Sequence, residues 1–305
     1  MSRIEFKLTP VPPFSLIYTG WALKRITRDT LYSFENGVLS RAVMLDDKPM
    51  VLSVEQSGTI EKPRLLVTAS GARLTASAQP AVLELTEKML GTNVDLQAFY
   101  RVAAKSGKLA KLAEQFRGLK PPRFPSVFEA FVIAVVNQQL SMIVGQTIMA
   151  RLIDAYGAAV PAAHMRAFPS PQSLAPLTAD QLMPFAFSRN KANYVIDVAR
   201  KIVDGEIDFA SLEGLSDDDL LETLRSIRGV GRWTAHYMML RGYGRLSAFP
   251  IDDVGARARL RDYLNLDKST DVSVLEKYVS RWNPYSGLLY FYLRLFNLAE
   301  KGELR

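Results

Sequence analysis

The spacing of apolar residues changes near position 85, and this change limits the folds open to the chain. Before it, short runs rich in Val, Leu, Thr and Tyr alternate with turn residues, as in antiparallel strands. Asn36-Gly37 between two apolar stretches predicts a tight hairpin, and 46–48 predicts the next turn. Residues 1–80 are therefore expected to form an antiparallel sheet, backed by a helix near 81–90.

Beyond position 90 the pattern is helical, with apolar residues three and four positions apart. Ser126 and Glu129 have the spacing of a capping box at the start of one such segment. Helices are predicted at 95–106, 108–117, 126–136, 142–156, 178–185, 191–204 and 217–227. The expected fold class is α+β, with a small antiparallel sheet domain and its helix over 1–90 and an all-helical core over 91–305.

Composition excludes several kinds of site. The 305 residues include no Cys, which rules out thiolate zinc sites, a cysteine nucleophile and cysteine-ligated iron–sulfur clusters. Because only two His are present, His164 and His236, a multi-histidine metal site is not expected. The net charge of +7 mildly favours a polyanion as partner, although a solubilising surface has the same signature. No segment offers the roughly 18 apolar residues that crossing a bilayer needs. Because the N-terminus also lacks a secretory signal, a cytoplasmic protein is expected.

Two predicted helices meet across Gly229-Val230-Gly231. Glycines permit backbone conformations that are closed to other residues, and the apolar residue between them would point inward. Backbone N–H groups of such a turn, at the start of the second helix, can bind a phosphate without reading base sequence. Arg228 and Arg232 flank the turn. The alternative interpretation is a glycine that simply ends one of two packed helices.

A second segment, 249–257, reads Phe-Pro-Ile-Asp-Asp-Val-Gly-Ala-Arg and brings paired acids to the start of another helix. Together with the hairpin at 224–236 and the loop Asn-Gln-Gln-Leu-Ser at 137–141, it resembles the helix-hairpin-helix DNA glycosylases. Within that family it most resembles the alkylated-base branch, the 3-methyladenine-DNA glycosylase II type. The resemblance covers about 90–300 closely and 10–90 loosely, and it implies a TBP-like sheet domain before the helical core.

The resemblance places Asp253 at the family's catalytic aspartate, with Asp252 beside it. A carboxylate near C1′ would stabilise the positive charge that develops on the deoxyribose, and it would orient or deprotonate a water. Either acid could instead cap a helix, and capping is the role expected of Asp252. Strand-cutting members of the family carry a Lys nucleophile where this chain has Trp233. Because an indole forms no Schiff base, an enzyme without lyase activity is expected.

The resemblance also implies how a flipped nucleotide would be held. Gln139, with Leu140 as second choice, matches the residue that fills the gap in the duplex; a polar end to the preceding helix is the alternative. An electron-rich ring attracts a cationic base, so the expected pocket is mostly aromatic. Its candidate members are Trp21, Trp233, Tyr237, Tyr292 (or Phe291) and Arg294. The candidate DNA-binding residues are Gln138, Gln139, Leu140, Arg189, Lys191, Arg228, Gly229, Val230, Gly231 and Arg232.

These expectations describe a base excision repair enzyme that flips alkylated purines such as 3-methyladenine out of damaged double-stranded DNA and hydrolyses the N-glycosidic bond. Two alternatives stay open: the same chemistry on a deaminated or oxidised base (hypoxanthine, 8-oxoguanine), and a non-catalytic DNA-binding hairpin protein. A monomer acting at the nucleoid is expected. No metal site or cofactor is expected, apart from a monovalent cation that the resemblance allows at the hairpin.

Overall fold

A five-stranded antiparallel sheet opens the fold, with the strand order β1-β5-β4-β3-β2. The structure is a computed structural model and describes residues 2–23, 30–72, 74–160 and 163–304. The strands are β1 (Ser2–Leu8), β2 (Tyr32–Glu35), β3 (Val38–Leu45), β4 (Lys48–Thr59) and β5 (Lys62–Gly71). The sheet predicted over the first 80 residues and the α+β class are both confirmed.

Two tight turns set the register of the central strands. Asn36 and Gly37, between β2 and β3, have φ angles of 52° and 79°. Asp46 and Asp47, between β3 and β4, have φ angles of 46° and 58°. A two-residue type I′ turn needs positive φ at both central residues, and its twist matches the twist of the flanking strands. Both predicted turns are confirmed.

Two helices accompany the sheet. The predicted one is α2 (Gln79–Leu90), which ends where Gly91 adopts the left-handed conformation with φ 60°. The other, α1 (Leu16–Leu23), was not predicted, and it packs against α2 and the last helix of the chain. Its sequence is apolar on nearly every side, so it carries no helical period that could distinguish it from a buried strand.

The helical core follows the predicted segments closely. One difference is the segment 178–185, which divides into a short helix and a 3₁₀ turn at Met183–Phe185 because Pro184 cannot donate an interior helix hydrogen bond. Among the described residues, no helix is long and apolar enough to span a membrane. The core helices are α3 (Gln97–Ala103), α4 (Lys108–Gln115), α5 (Val127–Asn137), α6 (Met142–Tyr156), α7 (Pro171–Leu174), α8 (Ala179–Leu182), α9 (Arg189–Val203), α10 (Asp217–Arg225), α11 (Arg232–Met238), α12 (Val254–Leu264), α13 (Val272–Ser280) and α14 (Ser286–Glu300). A two-stranded hairpin, β6 (Ala159–Val160) and β7 (Met165–Arg166), follows α6.

A buried ion pair joins the sheet to the helical core. Arg41 on β3 and Glu129 on α5 are each 1% exposed, and the guanidinium donates to both carboxylate oxygens. Ser126 caps α5 by accepting the N–H of Glu129 at 3.1 Å, as predicted. The capping box is nevertheless incomplete: the Glu129 side chain, instead of returning to the Ser126 backbone, binds Arg41.

Candidate active site

The turn between α10 and α11 needs glycine at one position and leaves the other open. Gly229 has a φ of +89°, and a Cβ placed there would lie 2.5 Å from the ring of Tyr194. Both the backbone conformation and the packing therefore require glycine. A Cβ at Gly231 would meet nothing within 4 Å, and this residue is exposed. The turn thus leaves its backbone accessible to another molecule on the Gly231 side.

Two exposed arginines flank the turn. The side chain of Arg228 is 74% exposed, and its guanidinium lies 3.7 Å from the carboxylate of Asp197. The side chain of Arg232 is 55% exposed, and its Nε lies 3.5 Å from the carboxylate of Asp252. Exposed pairs of this kind contribute little to stability, so either guanidinium can turn toward a phosphate at small cost.

Asp253 holds a fixed position at the start of α12. Its Oδ1 accepts the N–H of Ala256 at 2.7 Å, and its Oδ2 accepts the indole Nε1–H of Trp233 at 3.2 Å. The helix cap is therefore Asp253, whereas Asp252, the expected cap, faces Arg232. The two hydrogen bonds orient the Asp253 carboxylate while leaving the residue half-buried rather than enclosed.

An open cleft of about 750 Å³ lies between the hairpin and the loop 137–140. Trp233 borders it and stacks on Tyr237, with ring centroids 5.6 Å apart and an angle of 28° between the planes. Tyr237 is only 1% exposed, so it lies beneath Trp233 and not on the predicted pocket surface. The residues that line the cleft are Asn137, Gln138, Gln139, Leu140, Gly231, Arg232, Trp233, Thr234, Asp252, Asp253, Val254 and Gly255.

A narrower, mainly apolar cavity lies behind the loop and shares Asn137 with the cleft. Phe124 is one of its walls, and its ring centroid lies 6.4 Å from that of Tyr237. The lining residues are Leu23, Leu31, Tyr32, Phe124, Glu129, Ile133, Asn137, Met142, Gln146, Met149, Ile153 and Phe168. None was predicted as a pocket residue. They come from separate elements, and only tertiary packing brings them together, so no local pattern could have revealed them.

The last helix contributes less to the site than expected. Tyr292 and Phe291 are fully buried, so the structure places both in the core, contrary to the pocket prediction. The ring of Tyr292 packs against Phe99 and Trp282, with both centroids 5.6 Å away. Burial raises the pKa of the Tyr292 hydroxyl well above its ordinary value.

Two other predicted pocket residues are absent from the walls of both spaces. Arg294, on α14, has Nη1 at 3.9 Å from the sulfur of Met142, which lines the inner cavity. Trp21, on α1, is half-buried and packs edge-on against Phe34 at 6.4 Å. Arg294 and Trp21 therefore line neither the cleft nor the inner cavity, in contrast to their predicted places in the pocket.

The loop after α5 presents one side chain outward and uses another internally. Gln139 is exposed and has a φ of +55°, a conformation that residues other than glycine seldom adopt. Gln138 instead turns inward, and its Nε2 donates to the carbonyl of Gly229 at 2.8 Å and to Thr234 Oγ1 at 3.0 Å. Gln138, predicted to bind DNA, therefore connects the loop to the hairpin.

Lys191 also acts inside the protein. Its Nζ donates to the carbonyls of Val136 and Gln138 at 2.9 and 2.6 Å, which satisfies the end of α5. Burial lowers the pKa of this ammonium group. Lys191 was predicted to contact DNA, but in the structure its ammonium group binds backbone carbonyls of the protein. Arg189 stays exposed on the surface and pairs with Asp180.

Candidate ion ligands are sparse. Within the described ranges, no three His, Asp or Glu side chains lie close enough together to hold a metal. The hairpin itself offers backbone carbonyl oxygens, the kind of ligand that hard cations prefer. Of these, the carbonyl of Gly229 accepts the amide of Gln138, and that of Ile227 accepts the N–H of Val230.

Replacing Gln138 by Ala should loosen the hairpin. The change leaves two acceptors without their donor, which costs about 1–3 kcal/mol for buried groups. We expect a melting temperature lower by several degrees and weaker binding to duplex DNA, measured by thermal unfolding and fluorescence anisotropy. The exposed neighbour provides the control, because Gln139→Ala should melt like the unchanged protein. A Gln138→Ala variant that melts like Gln139→Ala would contradict this role.

Comparisons with known proteins show which family this chain belongs to. Residues 132–284 match the model of the "HhH-GPD superfamily base excision DNA repair protein" family. The chain is 26% identical over 276 residues to a DNA-3-methyladenine glycosylase of Bacillus subtilis, covering 89% of this chain and 90% of that protein. It is 27% identical to DNA-3-methyladenine glycosylase 2 of Escherichia coli, covering 70% and 71% of the two chains.

The fold also has a solved counterpart. The 3-methyladenine DNA-glycosylase structure from Archaeoglobus fulgidus superposes with a TM-score of 0.83 at 22% identity, covering 96% of this chain and 98% of that one. This likeness concerns the fold, and the family match spans the hairpin and the Asp253 segment. The chain belongs to the HhH-GPD superfamily of base excision DNA repair proteins.

Proposed function

We propose that this protein is a monofunctional DNA glycosylase that releases alkylated purines such as 3-methyladenine and leaves an abasic site. The observation that carries the proposal is the Asp253 carboxylate, held by the Trp233 indole at the wall of a cleft beside the hairpin. The names of the Bacillus subtilis and Escherichia coli relatives favour the alkylated-base substrate over a deaminated or oxidised base.

The proposed reaction uses the carboxylate as an electrostatic stabiliser. As the bond between C1′ and the base nitrogen breaks, its electron pair leaves with the base and positive charge develops on the sugar. Asp253 would stabilise that charge and accept the proton of the water that adds to C1′. A base alkylated at N3 or N7 is already cationic and departs as a neutral molecule, so no acid on the base side is required.

The absence of strand cleavage follows from Trp233. A lyase reaction needs an amine that forms a Schiff base with C1′, and an indole nitrogen cannot do so. The Trp233 indole is in addition engaged with Asp253. None of the described residues lining the cleft is a lysine. We therefore propose that the abasic product remains uncut.

The DNA would be held by the exposed parts of the site. In this proposal the Gly231 side of the hairpin and its two flanking arginines hold phosphates, which makes the affinity salt-dependent. Gln139, with its left-handed backbone, fills the gap that the extruded nucleotide leaves, and Leu140 lies beside it. The extruded base stacks near Trp233, and Arg294 lies against Met142, a residue that lines the inner cavity.

The partner proposed is damaged double-stranded DNA, bound by a monomer acting at the nucleoid in the cytoplasm. The reaction as written needs no organic cofactor. A monovalent cation at the hairpin would rest on backbone carbonyls, and it would reinforce the phosphate-binding turn without taking part in bond breaking.

The proposal is tested by identifying the bases that the protein frees from methylated DNA. Liquid chromatography should find 3-methyladenine among the products, and the strands should stay intact until alkali cleaves the abasic sites. A parallel panel of duplexes containing hypoxanthine or 8-oxoguanine should show slower release. If the protein releases only hypoxanthine or 8-oxoguanine, its substrate is a deaminated or oxidised base. If it releases no base at all, it is a non-catalytic DNA-binding protein.

A further inference from the structure

Exposed apolar side chains are concentrated at one edge of the cleft. Ten large apolar residues are exposed in the described part of the chain, and four of them fall within positions 140–144. They are Leu140, Met142, Ile143 and Val144, with 38%, 44%, 76% and 45% of their surface exposed. We call this group the apolar ridge. Ile143 is the most exposed of all ten.

Three of the four ridge residues form the first turn of α6, and Leu140 lies just before the Ser141 cap. The first turn of a soluble helix ordinarily carries polar or acidic residues. Ser141 caps the helix by accepting the N–H of Val144, and the first turn contains no acidic residue. The exposed start of this helix therefore combines an apolar surface with the positive end of a helix dipole and no repelling charge. Such a surface fits duplex DNA, in which anionic phosphates flank the apolar surface of sugars and base edges.

We propose that the apolar ridge packs into the minor groove of duplex DNA, beside the gap left by the extruded nucleotide. This inference rests on the proposed function, because it takes the cleft as the DNA-binding face. The ridge is continuous with that face: Leu140 belongs to the ridge and also lines the cleft. Sugar and base edges in the minor groove present apolar surface to which such side chains bind.

The proposed contact differs from the arginine contacts in a measurable way. Loss of a phosphate contact lowers the slope of log Kd against log salt concentration by about 1. Loss of an apolar contact weakens binding at every salt concentration and leaves the slope unchanged. Removing most of an isoleucine side chain from a buried contact with DNA raises the Kd for DNA by roughly tenfold.

The test compares Ile143→Ser with the unchanged protein. Fluorescence anisotropy gives the Kd for a duplex containing a tetrahydrofuran abasic analogue at several KCl concentrations. We expect a Kd about tenfold weaker for Ile143→Ser with the same salt slope. The matched control is Val203→Ser, at an exposed apolar residue that ends α9 away from the cleft, and its Kd should equal that of the unchanged protein.

Three results would overturn the inference. One is an Ile143→Ser Kd within twofold of the original, and another is a reduced salt slope. The third is a dimer, detected by light scattering, that Ile143→Ser converts to monomers, because the ridge would then hold a second copy of the chain. Base release by the unchanged protein is measured alongside. If it fails while the Kd result holds, the proposed function is wrong and the DNA contact stands.

Discussion

Replacing Asp253 by Asn should abolish base release, with a single-turnover rate lower by about 10³-fold or more. The amide keeps the shape of the side chain but loses the negative charge that would stabilise the sugar cation. The fold should survive because Asn is also a good helix cap and can retain the bond to the N–H of Ala256. Release of 3-methyladenine from end-labelled methylated duplex, with enzyme in excess, measures the rate.

Asp252→Asn is the matched control for that experiment. This neighbouring acid pairs with Arg232 and accepts no hydrogen bond from Trp233. Its loss should slow release by about tenfold or less, mainly through weaker placement of Arg232. Equal losses in the two variants, or a small loss in Asp253→Asn, would show that the charge acting at C1′ lies elsewhere.

Breaking the buried ion pair should produce the largest loss of stability. Arg41→Met removes the guanidinium that pairs with the buried Glu129 carboxylate, at a cost of about 3–5 kcal/mol in the free energy of unfolding. The melting temperature should fall by roughly 10 °C for a chain of this size. Chemical denaturation monitored by circular dichroism gives the free energy directly.

A double variant separates the ion pair from simple loss of packing. Combining Arg41→Met with Glu129→Leu removes both charges, and a well-packed apolar pair can replace a buried ion pair at little net cost. The double variant should therefore recover most of the stability that Arg41→Met loses. If it is no more stable than Arg41→Met, the destabilisation comes from altered packing around β3 and α5.

The sequence predicted the elements whose patterns are local. The hairpin at Asn36-Gly37 and the amphipathic core helices depend on residues close together in the chain, and the structure has them. The helix α1 escaped prediction because an apolar segment buried on most sides has no period. The ion pair between Arg41 and Glu129 links positions 88 apart in the chain, so no local sequence pattern could predict it.

The same distinction applies to the site. The resemblance to a known family pointed to Trp233 and Asp253, in two separate segments, and the structure joins them by a hydrogen bond. Spacing could not tell which aromatic residue of α14 faces outward, because that helix is apolar around most of its circumference, and Tyr292 proves to be in the core. Gln138 was assigned to DNA because its loop resembles the DNA-contacting loop of the family, whereas its actual partners lie across the fold.

The central claim is that the Asp253 carboxylate lies where positive charge develops on the sugar. A duplex carrying a cationic pyrrolidine in place of the deoxyribose imitates that charge, and a tetrahydrofuran duplex supplies the neutral reference. The unchanged protein should bind the pyrrolidine duplex about 100-fold more tightly or better, and Asp253→Asn should lose that preference. An Asp253→Asn variant that keeps the full preference for the cationic duplex would contradict the account.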